Sequence, residues 1–264
     1  MMPRPMHSFE ANTGTVGRSE PRGRGGSRGT RGPAMVKAWP LAIGLLLAAG
    51  ATAPSSGTSS AHPDATGWRQ LFAGDLSDAV APPGIWSWRD GVLGATEDQC
   101  LWTREEYSDF TLDLEFRNSD GTNSGVIVYA SDTKNWIPNS VEIQIADDFN
   151  PKWAKSPKSW QCGAIFGHKP ATTSAVRKPG EWNRMTITCR GPIISVALNG
   201  EAVNEIDLRQ WTSAKNNPDG SEIPPWLSKP LAELPTRGRI GLQGKHAGAP
   251  IEFRNIRVSA QPAR

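Results

Sequence analysis

The sequence predicts an all-β sandwich of two antiparallel sheets, and three observations carry that expectation. Short segments alternate apolar and polar side chains with a period of two, as FTLDLEFR does at residues 110 to 117. Tight-turn signals such as Asp90-Gly91 and Asn199-Gly200 separate them. No segment sustains a helical period long enough for a helix of ordinary length.

The chain has 264 residues, and its first part is a different material from the rest. Residues 1 to 34 carry six Arg and two Glu among many Gly, too few apolar side chains to build a core. They read as a mis-annotated or disordered leader. Met35-Val-Lys then precedes the apolar run AWPLAIGLLLAAGATA, which ends in small residues at Ala49-Gly50-Ala51. Residues 35 to 51 read as a secretion signal, too short and too weakly flanked to be a stable membrane span. Residues 52 to 66 are expected to be a flexible leader, and 67 to 260 a single domain. The localisation that follows is exported, periplasmic or extracellular.

Charge excludes one class of partner. The whole chain is +3, residues 1 to 34 hold +4 of formal charge, and the part from Met35 onward is therefore −1. The basic balance belongs to the leader, so the domain lacks the electrostatic footprint of a nucleic-acid binder. Cys100, Cys162 and Cys189 show no spacing that suggests a zinc site. Two of them paired in a disulfide, or all three buried as small apolar groups, both fit the sequence.

The elements follow in order. Gly67 to Phe72 opens the domain with a short strand, and Trp86-Ser87-Trp88 turns at Asp90-Gly91 into Val92-Leu93. Leu101 to Thr103 is another short strand. In Phe110 to Arg117 the set Phe110, Leu112, Leu114 and Phe116 faces a core while Thr111, Asp113, Glu115 and Arg117 face water. Gly125 to Ala130 is continuously apolar and reads as a central strand. In NSVEIQIADD, residues 139 to 148, Val141, Ile143 and Ile145 point one way and Glu142, Gln144 and Ala146 the other. That polar face is either a site or the wetted side of a sheet. Cys162 to Phe166 reads as a buried strand, Arg184 to Arg190 alternates, and Ile193 to Ile206 is a hairpin around Asn199-Gly200. Residues 209 to 236, with five Pro and two Trp, form a loop of a length common in lids and binding loops. Arg239 to Gln243 and Ile251 to Val258 close the domain.

Candidate site residues come from chemistry-bearing types at open positions. Eleven Trp against two Tyr is unusual, and flat apolar rings suit stacking on sugars as well as cores. Trp136, Trp153, Trp160, Trp211 and Trp226 fall in expected loops and are the candidates for ligand contact. His168 and His246 sit in Gly-containing turns just past apolar strands, where an imidazole titrates near neutral pH. Arg254, among apolar neighbours in the last strand, needs either a structural carboxylate or a ligand. No nucleophile elbow, phosphate loop or H-E-x-x-H pattern is present, which disfavours acyl transfer, nucleotide chemistry and zinc proteolysis.

Read together, GWRQLFAGDLSD, LWTREEYSDFTLDLEFR, NSGVIVYA, VEIQIADD, CGAIFGHK, GEWNRMTI and GRIGLQGKHAGAPIEFRNIRV resemble, in order and spacing, the 3-keto-disaccharide hydrolase family. The resemblance runs from Gly67 to about Val258 and implies a concanavalin-like jelly-roll β-sandwich. Glu142, Gln144 and Asp147 fall in the family's E-x-Q-x-x-D motif, and Gln243, His246, Arg254 and Asn255 in its C-terminal motif. Tyr129 and Phe166 depart from residues common in the family.

The implied substrate is a small carbohydrate oxidised at carbon 3, opened by proton abstraction, elimination and hydration. Such chemistry needs a base, an enolate partner and an acid for the leaving group. Glu142 or His168 is the expected base and His246 the acid or enolate stabiliser. Gln144, Asp147, Gln243, Arg254 and Trp211 are expected to bind hydroxyls or the sugar face. The sequence requires no cofactor; a divalent metal on the carboxylate and His groups is one way to stabilise an enolate. Two other readings stay open: glycoside hydrolysis by two carboxylates, Glu142 and Asp147, and a non-catalytic carbohydrate-binding module.

Overall fold

Alternation along each long strand sends one set of side chains inward, and two sheets close over the result. A computed structural model describes residues 61–260. The expected Arg/Gly-rich leader (1 to 34), the secretion signal (35 to 51) and most of the 52 to 66 segment lie outside the described residues. The strands in chain order are β1 (Arg69–Gln70), β2 (Ala79–Val80), β3 (Trp86–Arg89), β4 (Val92–Ala95), β5 (Leu101–Thr103), β6 (Phe110–Asn118), β7 (Asn123–Ala130), β8 (Val141–Ala146), β9 (Trp182–Arg190), β10 (Ile193–Leu198), β11 (Glu201–Asp207), β12 (Arg239–Leu242) and β13 (Ile251–Ala260). One α-helical turn, α1 (Pro151–Ala154), follows β8.

The first sheet runs β11-β10-β9-β6-β13-β4-β3, with β1 also paired to β13; the second runs β2-β5-β12-β7-β8. Every pairing is antiparallel. This is the expected jelly-roll sandwich. Phe110, Leu112, Leu114 and Phe116 of β6 meet Val126 and Val128 of β7 and Val141, Ile143 and Ile145 of β8 in one core cluster. Each such side chain removed from water contributes roughly 1.5–3 kcal/mol, which is why the register holds.

Two expectations are corrected. Cys162 to Phe166 is not a strand of its own: only Ile165 bridges Ile143, although the segment bonds along the free edge of β8. Gly163 and Gly167 both have positive φ, which interrupts a regular ladder there. The domain also begins before Gly67. Pro63 and Ala65 accept hydrogen bonds from Arg184 and Arg257 (2.7 and 3.1 Å). His62 stands between Thr186 Oγ1 and the Gly200 N–H (2.7 and 2.8 Å). A third histidine thus belongs to the folded part beside His168 and His246.

All three cysteines are free; Cys162 and Cys189 are buried, and burial pushes each thiol well above its ordinary range. Among the described residues no helix is long and apolar enough to cross a membrane.

Candidate active site

The second sheet turns its polar set away from the core, and the register determines who stands beside whom. Gly241 of β12 faces Trp102 of β5 and Ile127 of β7, and Ile127 in turn faces Glu142 of β8. One row along, Gly125 faces Gln144, and the Gln243 N–H donates to the Gly125 carbonyl at 3.0 Å. Gln144 Nε2 donates to Asn123 Oδ1 at 2.8 Å, and Asn123 bridges His246. Glu142, Gln144, Gln243, Asn123 and His246 therefore share one outer surface.

Glu142 lies down over Gly125, filling the space where a side chain would otherwise stand. Trp102, Ile127 and Ala130, with Cys100 and Trp136 against them, form a small apolar cluster on the same side. Packing of this kind strips water from the carboxyl, and burial pushes Glu142 up to about 8; His246 opposes the shift and Asp98 adds to it.

His246 Nδ1–H donates to the Asp98 carboxylate, at 2.7 Å from Oδ2. That bond raises its pKa above the ordinary value, against partial burial and Lys152. Gly244 makes the pairing reachable: a Cβ there would stand 2.6 Å from the Gln99 carbonyl, so only glycine lets the 97–99 turn come this close. Lys152, whose Nζ lies 4.5 Å from the Trp153 ring centroid, supplies the nearby positive charge. The Gln243 side chain is buried, and its Oε1 has no hydrogen-bond partner among the described residues. Such an acceptor is a place for a hydroxyl or a water.

Four expected site residues are not brought to this surface. His168 is buried, and its Nδ1 contacts Asn217 Oδ1 at 3.3 Å. Burial drives its pKa down to about 4, so it holds the long loop rather than serving as an open base. Asp147 is also buried; its carboxylate accepts from the Gly121 and Phe149 N–H groups (2.9 and 3.1 Å) and shapes the turn after β8. Trp211 is part of the core, with Nε1 donating to Asn217 at 3.0 Å. Arg254 belongs to β13 in the other sheet, bonded to Glu115 at 2.7 Å and 4.0 Å over the Trp182 ring. Asn255 follows it and bonds the same Glu115.

The sequence reading missed Asp98, in the bend after β4, Asn123, the first residue of β7, and Lys152, in the single turn of α1. Asn123 offered one signal, its place two residues before Gly125 at the start of an apolar run. Among the described residues, no group of three or more His, Cys, Asp or Glu side chains converges to hold a metal ion. Two clefts of about 290 and 340 Å³ open on the outer face of the first sheet. In the smaller of them Asp113 is paired with Arg184 and Glu115 with Arg254, so neither carboxylate is open for chemistry.

Comparison with known proteins gives the family and the fold. A family model described as a 3-keto-alpha-glucoside-1,2-lyase-like domain matches residues 62–259. A 3-keto-disaccharide hydrolase of Bacteroides thetaiotaomicron is 28% identical over 221 residues, which cover 73% of this chain and 73% of that protein. A crystal structure of a Parabacteroides distasonis protein provisionally described as a glycosyl hydrolase is similar with 55% identity and a TM-score of 0.72, over 74% of this chain and 99% of that one. A second protein of that organism and description, 20% identical with a TM-score of 0.56 over 74% of this chain and 89% of its own, shares the fold.

Proposed function

The chain belongs to the 3-keto-alpha-glucoside-1,2-lyase-like domain family, and on that premise we propose that it opens 3-keto-glycosides by proton abstraction, elimination and hydration. The observation that carries the reading is that two titratable groups on one sheet face act on each other through their charges. Glu142 is a carboxyl held up to about 8, and His246 is an imidazole raised by Asp98.

A ketone at carbon 3 acidifies the hydrogen on carbon 2. Glu142, once ionised, takes that proton, and the electrons of the C2–H bond pass into the enolate. A base whose pKa lies near the working pH is the most effective one. The C1–O bond then breaks, and His246, with its Nδ1 committed to Asp98, delivers a proton from Nε2 to the departing oxygen. Water adds across the resulting C1=C2 bond, its hydroxyl to C1 and its proton to C2, so the overall change is hydrolysis. Gln243, with its unpartnered Oε1, accepts from a ring hydroxyl, Gln144 holds Asn123 beside it, and the positive charge of Lys152 favours negative charge nearby.

Asp147 is buried and accepts from two backbone N–H groups, which weighs against the two-carboxylate route. In this reading the protein acts after export, once the segment up to Ala51 is removed; N-terminal sequencing of the form found outside the cytoplasm checks that step.

Incubating the purified domain with a 3-keto-glucoside and with the matching unoxidised glycoside tests the proposal. Turnover of the ketone alone is expected, lost in Glu142→Gln. Turnover of the plain glycoside alone supports ordinary glycosidic hydrolysis, and binding without turnover of either supports a carbohydrate-binding module. A parallel incubation with chelator, followed by return of a divalent ion, reads whether a cation takes part.

A further inference from the structure

The surface that carries Glu142 does not end at β8. The Phe166 N–H donates to the Glu142 carbonyl at 2.9 Å, while the neighbouring Ile165 bridges Ile143 and enters the core. Phe166 thus stands across from Glu142 along the free edge of β8. Trp160 lies against Phe166 with ring centroids 5.5 Å apart, and Trp226 meets Trp160 at 6.0 Å and 62°. Trp226 is 39% exposed, one of three large hydrophobic side chains exposed among the described residues.

The loop that carries Trp226 is fastened down. Pro224 and Leu227 pack onto Gly167, and Asn217 ties the loop to the Gly167 carbonyl (3.2 Å), to His168 and to Trp211. An indole held half in water by a fixed loop is ordered before any ligand arrives, which lowers the entropy lost on binding. None of the three rings takes part in the proton transfers above.

We propose that Trp226, Trp160 and Phe166 form a stacking platform for the second, unoxidised pyranose ring of a 3-keto-disaccharide, with Trp226 as its open face. The idea rests on the proposed function, because the keto ring must occupy the Glu142 surface and the ring that leaves must lie beside it. Apolar faces of a hexopyranose suit indole planes, and the three rings carry no charge that would select an ionic partner.

Two substrates separate platform from catalysis: a 3-keto-disaccharide and methyl 3-keto-glucoside, which lacks the second ring. Trp226→Ala is expected to lower kcat/KM for the disaccharide about tenfold and to change it less than about twofold for the methyl compound. Trp226→Phe should recover most of the loss, and thermal melting shows whether each variant folds. Equal losses on both substrates overturn the platform. If the wild type turns over neither ketone, the proposed function fails, and calorimetry with the unoxidised disaccharide decides the platform by itself. Binding weakened by Trp226→Ala and kept by Trp226→Phe supports it; binding unchanged by both overturns it.

Discussion

A Cβ on Gly125 would stand 2.7 Å from Cγ and 2.8 Å from Cδ of Glu142, so the carboxylate occupies the space of a missing side chain one strand away. Gly125→Ala should therefore displace Glu142 without breaking the sheet, because what must move is a flexible side chain. The expected loss in kcat/KM is about 100-fold, the cost typical of misplacing a reacting group by an ångström. Activity at full occupancy of the folded state, measured beside a melting curve, checks this. A variant as active as wild type would remove Glu142 from the chemistry or Gly125 from its control.

Asp98 acts on two groups in the same direction, raising His246 through a hydrogen bond and Glu142 through charge. The rate of ketone turnover should rise with pH toward about 8 as Glu142 ionises. It should fall again as His246 loses its proton. Asp98→Asn lowers both pKa values, so the whole profile of kcat/KM against pH should slide to lower pH. A profile that stays in place would dissociate Asp98 from both residues.

His168 gives stability a pH dependence of definite sign. Its folded pKa, about 4, lies below the ordinary 6.5, so the unfolded chain binds the proton first as the medium is acidified. Stability is lost as pH falls from about 6.5 toward 4, by up to roughly 3 kcal/mol. His168→Asn keeps a polar group near the position of Nδ1 and should flatten that interval in denaturant titrations. An unchanged slope would refute the assignment.

Arg254 should matter to folding and not to turnover. Its guanidinium is bonded to Glu115 and stacked over Trp182, which also receives Arg117 at 4.7 Å. Arg254→Ala is expected to cost about 1–2 kcal/mol of stability for this half-exposed group. The kcat/KM of the folded fraction should stay within about twofold of wild type, since the contact is on the other sheet. A loss of activity without loss of stability would return Arg254 to the site.

The fold was legible because its information is local. Phe110 to Arg117 and Val141 to Ala146 bury the side chains that alternation sends inward, and the latter strand presents Glu142 and Gln144 on the other face. Proximity along the chain misled elsewhere. Gln243, His246 and Arg254 occur within twelve residues, yet β12 and β13 belong to different sheets, and the crossing between them parts the motif. Asp147 comes one step past the end of β8, where the period of two no longer applies and backbone donors claim the carboxylate. His168 and Trp211 were expected in open loops. Only the folding of residues 209 to 236 back over the 166–168 turn encloses them, a long-range event that no local pattern encodes.

The first and last strands of the domain also pair, Arg69 with Val258 and Gln70 with Arg257, in the sheet that does not carry Glu142. Both ends of the described chain thus depart from the back of the molecule. A domain immobilised on a bead or fused to a carrier through either end would keep the sheet that carries Glu142 turned outward.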